Sequence, residues 1–383
     1  MNKNQVNKLI VKLINNSITE SESNELVKWL EDINNLKYFN EFIEINHLIN
    51  SKKKFDHRFS LKEFMVKTQK KEPRLRVKLF YAAASIAILI SISLVVYIKN
   101  VPKNNKIDPV IVNNDIKIGT DKAVLTLGDG STVVLDKDKH FTSNNLESNG
   151  EDLIYKSPPK KATKITYNYL TIPRGGQYHV TLSDGTQVWL NSESQLKYPV
   201  HFSKNETRIV ELIYGEAYFK VSPSTNHNNA KFKVISNTQD IEVLGTEFNI
   251  KAYLDEDKTY TTLVEGSIAL HSFNTKTILK PNEQAVLDKK SNSLIISSRV
   301  DTYSEIAWKR GLFSFKDKTL KDIMKVLSRW YDINIIFEDK TLETVKFKGV
   351  ISKKQNLTDI LLLIKNTNYI NSYEIKQNTL ILK

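Results

Sequence analysis

No cysteine occurs in the 383 residues. Its absence excludes disulfide stapling, thiolate metal sites and a cysteine nucleophile, but says little about compartment. The histidines (His47, His57, His140, His179, His201, His227 and His271) are scattered without ligand spacing, so no metal site or cofactor is expected. No carboxylate pair can be argued for acid–base chemistry. Hydrophobic content of 40% with 9% aromatics supports folded domains over disorder, and the length favours two or three of them.

The net charge of +13 suggests a nucleic-acid binder until it is mapped. Residues 1–51 carry five Lys against seven Asp or Glu, whereas residues 52–78 carry eleven Lys or Arg against three acidic groups. Phosphate contacts need clustered cations, and the N-terminal segment lacks them. The basic stretch instead precedes residues 79–98, LFYAAASIAILISISLVVYI, twenty positions without a formal charge. A helix of that length spans about 30 Å, the thickness of a bilayer core, and Tyr81 and Tyr97 suit its two interfaces. Seven Lys or Arg lie in the seventeen residues before it and three in the seventeen after. The positive-inside bias therefore predicts a cytoplasmic N-terminus, basic residues on the anionic inner surface, and no cleavable signal peptide.

Residues 4–50 have helical periodicity. Val6, Leu9, Ile10, Leu13 and Ile14 form one stripe. Thr19-x-x-Glu22 predicts a capping box opening a second helix with Leu26, Trp29, Leu30 and Ile33 on one side, and a third run follows with Phe39, Phe42, Ile43 and Leu48. So small a bundle invites a partner, and Trp29 is a natural anchor for one.

After a polar linker (residues 99–115) the period becomes 2. Ala123–Leu135 and Tyr178–Leu190 are two versions of one hairpin, each turning at Asp-Gly (Asp129-Gly130, Asp184-Gly185). Asp-Gly between alternating apolar runs predicts a two-residue turn with positive φ at both central residues. Further strands are expected over 208–221, 231–236, 240–253, 259–271, 276–288 and 293–298, with a turn at Tyr214-Gly215-Glu216. From residue 308 strand–helix–strand order appears twice.

The predicted fold is multidomain. It comprises an N-terminal all-α bundle (1–78), one transmembrane helix (79–98), a linker (99–115), a β-rich sandwich or roll with a solenoid left open (116–300), and a C-terminal α+β domain of two βαβ-like halves (308–383).

Thr171-Ile-Pro173-Arg174-Gly175-Gly176-Gln177, Leu182-x-Asp184-Gly185-Thr-x-Val-Trp-Leu-Asn191, Gly215-Glu216-Ala-Tyr-Phe219, Val243-Leu-Gly245-Thr246-x-Phe-Asn249, Leu263-x-Glu-Gly266 and Leu279-Lys-Pro-x-Glu-Gln-Ala285 follow in order. Together they resemble the FecR family of transmembrane anti-sigma regulators. Residues 308–383 resemble the domain often appended to them, itself similar to the signalling domain of TonB-dependent transporters. The resemblance implies an inner-membrane protein with a periplasmic C-terminus. Its cytoplasmic helices would hold an extracytoplasmic-function sigma factor, with Leu26, Trp29, Leu30 and Ile33 as contact candidates. An outer-membrane transporter would signal to it through its N-terminal signalling domain, with Phe313, Phe315 and Tyr331 as contact candidates, and site-specific proteases would transmit the signal.

No direct nucleic-acid contact and no enzymatic turnover are implied. Some relatives cleave themselves at the position of Gly245-Thr246; a β-bulge explains the same residues without chemistry. The competing reading is a membrane-anchored periplasmic glycan or cell-wall binder, with Trp189, Tyr198 and Tyr218 in an aromatic groove.

Overall fold

The computed structural model describes residues 3–14, 18–30, 32, 35, 39, 116–137, 139–143, 146–155, 165–237, 239–273, 275–367 and 369–383. It divides at residues 108/109 into two units. In the first, α1 (Lys3–Ile14) and α2 (Glu20–Trp29) bury Val6, Leu9 and Ile10 against Leu26, Leu30 and Phe39. The expected capping box forms. The Glu22 N–H donates to Thr19 Oγ1 at 3.4 Å, and the Thr19 N–H donates back to Glu22 Oε2 at 3.0 Å, satisfying two donors a helix start would otherwise orphan.

The expected architecture of an α bundle joined to a transmembrane helix is corrected by the structure. The described chain is mainly β, with twenty-three strands against five α-helices. At the N-terminus the helices described in full are α1 and α2. Among the described residues no helix is long and apolar enough to cross a membrane. The segment 79–98 and most of the third helical run lie outside the described residues.

The second unit opens with β1 (Thr120–Thr126), β2 (Thr132–Asp136), β3 (Phe141–Ser143), β4 (Leu146–Ser148), β5 (Asp152–Tyr155), β6 (Tyr167–Ile172), β7 (Gly176–Thr181), β8 (Gln187–Leu190), β9 (Ser194–Pro199) and β10 (Arg208–Lys220). Neither a solenoid nor a plain sandwich results. Hydrogen bonding runs β1–β6–β9–β10–β8–β7, and a short parallel pairing of Thr120 with Gly176 and Asp121 with Gln177 returns to β1. Six strands thereby close a small barrel, which leaves no open edge among them.

The hinge of this closure is β10, which pairs with β9 through its first half and β8 through its second. Its register shifts between Leu212 and Tyr214, and Gly215 follows at φ +100°. A Cβ there would lie 2.4 Å from Ser194 Cα. The segment expected to turn is thus a bulge that carries one strand between two sheets.

Beyond β10, strands β11 (Phe232–Ser236), β12 (Gln239–Val243), β13 (Glu247–Ala252), β14 (Lys258–Glu265), β15 (Ile268–Ser272), β16 (Thr275–Leu279), β17 (Gln284–Asp288) and β18 (Leu294–Ser297) alternate in pairs between two layers. One layer is β11–β12–β15–β16 and the other β13–β14–β17–β18. The runs 240–253 and 259–271, expected as single strands, each break where the chain changes layer, at Gly245 and Gly266. One apolar core fills barrel and roll, with Phe219 stacked on Phe248 at 5.1 Å.

Both Asp-Gly hairpins form, but with three-residue loops. Gly130 N–H donates to Leu127 O and Gly185 N–H to Leu182 O. Only the glycines have positive φ, +88° and +81°. This is a type I turn followed by a glycine bulge, not the primed turn expected. The Asp side chain fixes the bend, since Asp129 accepts from the Ser131 N–H and Asp184 from the Thr186 N–H, both at 2.9 Å.

The C-terminal module contains β19 (Leu312–Thr319), α3 (Leu320–Tyr331), β20 (Asn334–Phe337), β21 (Lys346–Ser352), α4 (Leu357–Lys365), β22 (Tyr373–Lys376) and β23 (Thr379–Leu382). The element order matches expectation; the pairing does not. β19 pairs with β21 antiparallel, and β20 with β23 parallel, so each sheet draws a strand from both halves. Two self-contained βαβ halves are excluded. Interleaving lets α3 and α4 share one core through Leu320, Ile323, Leu327, Leu357, Ile360 and Leu361.

Candidate functional site

The module docks on the barrel through the loop between β6 and β7. Gly175, at φ +67°, turns its N–H to Arg329 O at 2.7 Å, while its own carbonyl accepts from the Thr120 N–H at 2.9 Å. Arg174 projects to the end of α3. Its Nη2 donates to Ser328 O at 2.8 Å and to Ile333 O, and its Nε pairs with Asp332 at 3.2 Å. A cation there complements the negative C-terminal end of the helix dipole. Gln177 bridges the seam. Its Nε2 donates to Asp121 at 2.9 Å, and its Oε1 accepts from Lys353 Nζ at 2.7 Å. The Lys353 amine also sits 3.6 Å above the Trp330 ring. Burial depresses its pKa from 10.5 to about 7, against the pull of Glu216 and Asp121.

On the other flank Arg329 is enclosed. Nε donates to Glu193 at 3.1 Å, Nη1 to Glu256 at 2.8 Å, and Nη2 to Asp255. Its guanidinium lies 3.6 Å from the centre of the Tyr253 ring. Glu193 holds φ +59°, a strained conformation for glutamate that serves this contact. Burial opposes ionisation of Glu256, but the Lys251 and Arg329 cations outweigh it and leave its pKa below the ordinary value.

Between the flanks is a cavity of about 160 Å³ whose lining includes Glu216, Lys251, Tyr253, Trp308 and Phe313. Glu216 is buried and accepts from Asn191 Nδ2 and Asn249 Nδ2, both at 2.9 Å. Burial raises its pKa, with Lys251 acting in opposition. Three motif segments, ending at Asn191, opening at Gly215 and ending at Asn249, therefore meet at one carboxylate.

The remaining motif residues make internal contacts. Asp184 Oδ2 pairs with Arg208 Nη1 at 2.7 Å, with side-chain exposures of 3% and 2%. Pro173 O accepts from the Gly176 N–H at 3.1 Å, and a Cβ on Gly176 would stand 2.9 Å from Lys122 O. Gly245 and Thr246 connect β12 to β13. The buried Thr246 hydroxyl donates to Ser267 O at 3.1 Å, a main-chain carbonyl and not a basic side chain.

Of the sigma-contact candidates, Leu26 and Leu30 are buried in their own core and Trp29 is half-buried; Ile33 lies outside the described residues. Phe313, Phe315 and Tyr331 are all buried inside the C-terminal module. Tyr198 and Tyr218 are likewise buried. Trp189 is stacked on His179 at 4.3 Å, with Lys309 3.7 Å over its ring, so the three aromatics do not line an open groove. Sequence reasoning missed Arg329, Lys353, Glu193 and the Asp255-Glu256 pair. An arginine on the polar side of a helix carries no periodic signal, and Asp255-Glu256-Asp257 reads as an ordinary turn.

Residues 168–269 match the family model of the FecR protein, and residues 312–382 match that of the FecR C-terminal domain. Two crystal structures of a candidate anti-sigma factor from Parabacteroides distasonis superpose on the chain. Each has 25% identity and a TM-score of 0.51, covering 56% of this chain and 98% of that one. No curated protein matches. Both FecR domains are present in the chain, and with its likeness to a candidate anti-sigma factor they support a FecR-family anti-sigma regulator.

Proposed function

We propose that this protein is anchored in the inner membrane by the apolar segment 79–98, with residues 1–78 in the cytoplasm and the β roll and C-terminal module in the periplasm. The N-terminal helices hold an extracytoplasmic-function sigma factor. They release or activate it when a substrate-loaded TonB-dependent transporter engages the periplasmic part through its signalling domain, with site-specific proteolysis as the transmission step. The observation that carries this reading is the pairing of both FecR domains with a separate helical unit whose Trp29 is only half-buried. Because Phe313, Phe315 and Tyr331 are buried, the proposed transporter contact is assigned instead to exposed groups such as Ile336 and Tyr369.

A reporter driven by the cognate sigma factor tests the proposal in cells carrying the full chain or one lacking residues 1–50. The full chain should silence the reporter until the transporter is loaded, and the shortened chain should not. Equal reporter output from both would sink it.

No turnover chemistry is proposed. Single-turnover scission is a second reading, favoured by Gly245 at φ +156° beside the buried Thr246 hydroxyl. The hydroxyl oxygen would add to the Gly245 carbonyl carbon, the C–N bond would break as the amine takes the hydroxyl proton, and water would open the resulting ester. Intact mass of the purified chain decides it: two fragments dividing at 245/246 support scission, and the full-length species alone refutes it.

A further inference from the structure

The seam between barrel and module is unlike the core on either side. Tight packing there comes from Gly119, where a Cβ would lie 2.6 Å from the Trp330 ring, and from Ile116 and Ile118 against the module's core. Most of the remaining contact is polar and charged. Arg174 and Arg329 each make several bonds across it, together to four carboxylates and two carbonyls. Lys353 is enclosed as well, yet its partners are an amide oxygen and an aromatic face, with no carboxylate at ion-pair distance among the described residues.

We propose that this docking is a releasable latch. The guanidinium groups of Arg174 and Arg329 hold the module shut against the cost of enclosing the Lys353 amine, so the seam opens while barrel and module stay folded. Burying an ammonium without a counter-charge is costly, and the group responds by losing its proton. Asp121 on β1 and Glu216 on β10 favour the ammonium, and burial outweighs both; the cations Lys122, Arg174 and Arg329 lie in the same seam. The closed latch therefore favours the neutral amine, and the open latch exposes an ordinary lysine.

The sign of the pH dependence follows. Closing releases a proton wherever the open form is protonated and the closed form is not, which is between about 7 and 10.5. In that window the closing constant rises about tenfold per pH unit, and below it the constant is level. Acidification toward 7 loosens the latch; further acidification adds nothing through this group.

Hydrogen exchange on the full chain reads this directly, because the Gly175 N–H donates to Arg329 O across the seam and is freed when the module lifts. Barrel amides in β9 and β10 serve as references. Their exchange should rise with hydroxide between pH 7 and pH 9. Exchange at Gly175 should stay nearly level, because closing strengthens as catalysis accelerates. Lys353→Met should slow Gly175 at pH 7 by tenfold or more and restore the ordinary hydroxide dependence, and Lys353→Gln should restore the same dependence if methionine disturbs the reference amides. Arg329→Ala should speed Gly175 at every pH and leave the references unchanged. A wild-type Gly175 that follows the barrel amides through the window overturns the proposal, as does a folded Lys353 variant that keeps the wild-type slope. The latch does not rest on the sigma-factor reading, so either can fail alone.

Discussion

Replacing Arg208 with methionine isolates the contribution of the buried pair behind the Asp184-Gly185 motif. Arg208 Nη1 donates to Asp184 at 2.7 Å and to Ser222 O at 3.1 Å, and its Nη2 donates to Ala230 O at 3.1 Å. Both partners of the ion pair are almost wholly enclosed. Methionine fills much of the volume but leaves a buried carboxylate without its cation and two carbonyls short of a donor. Breaking a buried pair from one side costs about 3–5 kcal/mol, or a fall of roughly 6–20 °C in Tm for a domain of this size.

Asp184→Asn should cost about 1–3 kcal/mol, because its amide would face the guanidinium donor to donor. In the double variant that conflict disappears, so the combined cost should fall short of the sum by at least about 1 kcal/mol. Urea unfolding of the full chain followed by tryptophan fluorescence gives all three values. A cost below about 1 kcal/mol for Arg208→Met, or strict additivity of the two changes, refutes the assignment of this pair as the internal support of the motif.

Gly215→Val should prevent soluble expression or lower Tm by more than any surface change, since its Cβ would enter Ser194 and φ +100° is closed to β-branched residues; a Tm within a degree or two of wild type contradicts the bulge. Glu216→Gln should cost about 1–3 kcal/mol at pH 7, because its amide meets an Asn donor. Its disadvantage should grow as pH falls toward 4.5: the raised Glu216 pKa means that ionising it in the fold costs stability, a cost acid removes from the wild type alone. Denaturation at pH 7 and pH 5 reads both signs. Ile10→Asp, at a fully buried site, should unfold the N-terminal helices and abolish sigma retention, while exchange protection in β9 and β10 stays unchanged.

Local chemistry was the legible part of this fold. Thr19 and Glu22 announce their capping box, and Asp129-Gly130 and Asp184-Gly185 announce bends, because a few neighbouring atoms settle each. The type of bend was not legible: whether Gly128 and Ser183 join the loop depends on how the flanking strands pair. Strand boundaries failed where the chain changes layer, since the period of 2 continues through Gly245 and Gly266 as though one strand ran on. Closure of the barrel by the short β1–β7 pairing has no local signature. Nor has the interleaving of β19 with β21, which rests on pairs as far apart in sequence as Leu312 and Ser352. At the seam Arg174 stood out within a dense motif, but two of its partners are main-chain carbonyls, of Ser328 in α3 and of Ile333 just beyond it, and a carbonyl has no identity in a sequence.

The central claim is that residues 1–50 carry the sigma-binding surface, and titration calorimetry of the full chain in detergent tests it against each extracytoplasmic-function sigma factor of its source organism. The account predicts one sigma factor that binds one-to-one with Kd below about 1 μM and is weakened at least tenfold by Trp29→Ala. If none binds more tightly than roughly 100 μM, or if the bound sigma factor is equally well retained after residues 1–50 are removed, the anti-sigma surface lies elsewhere and the account is wrong.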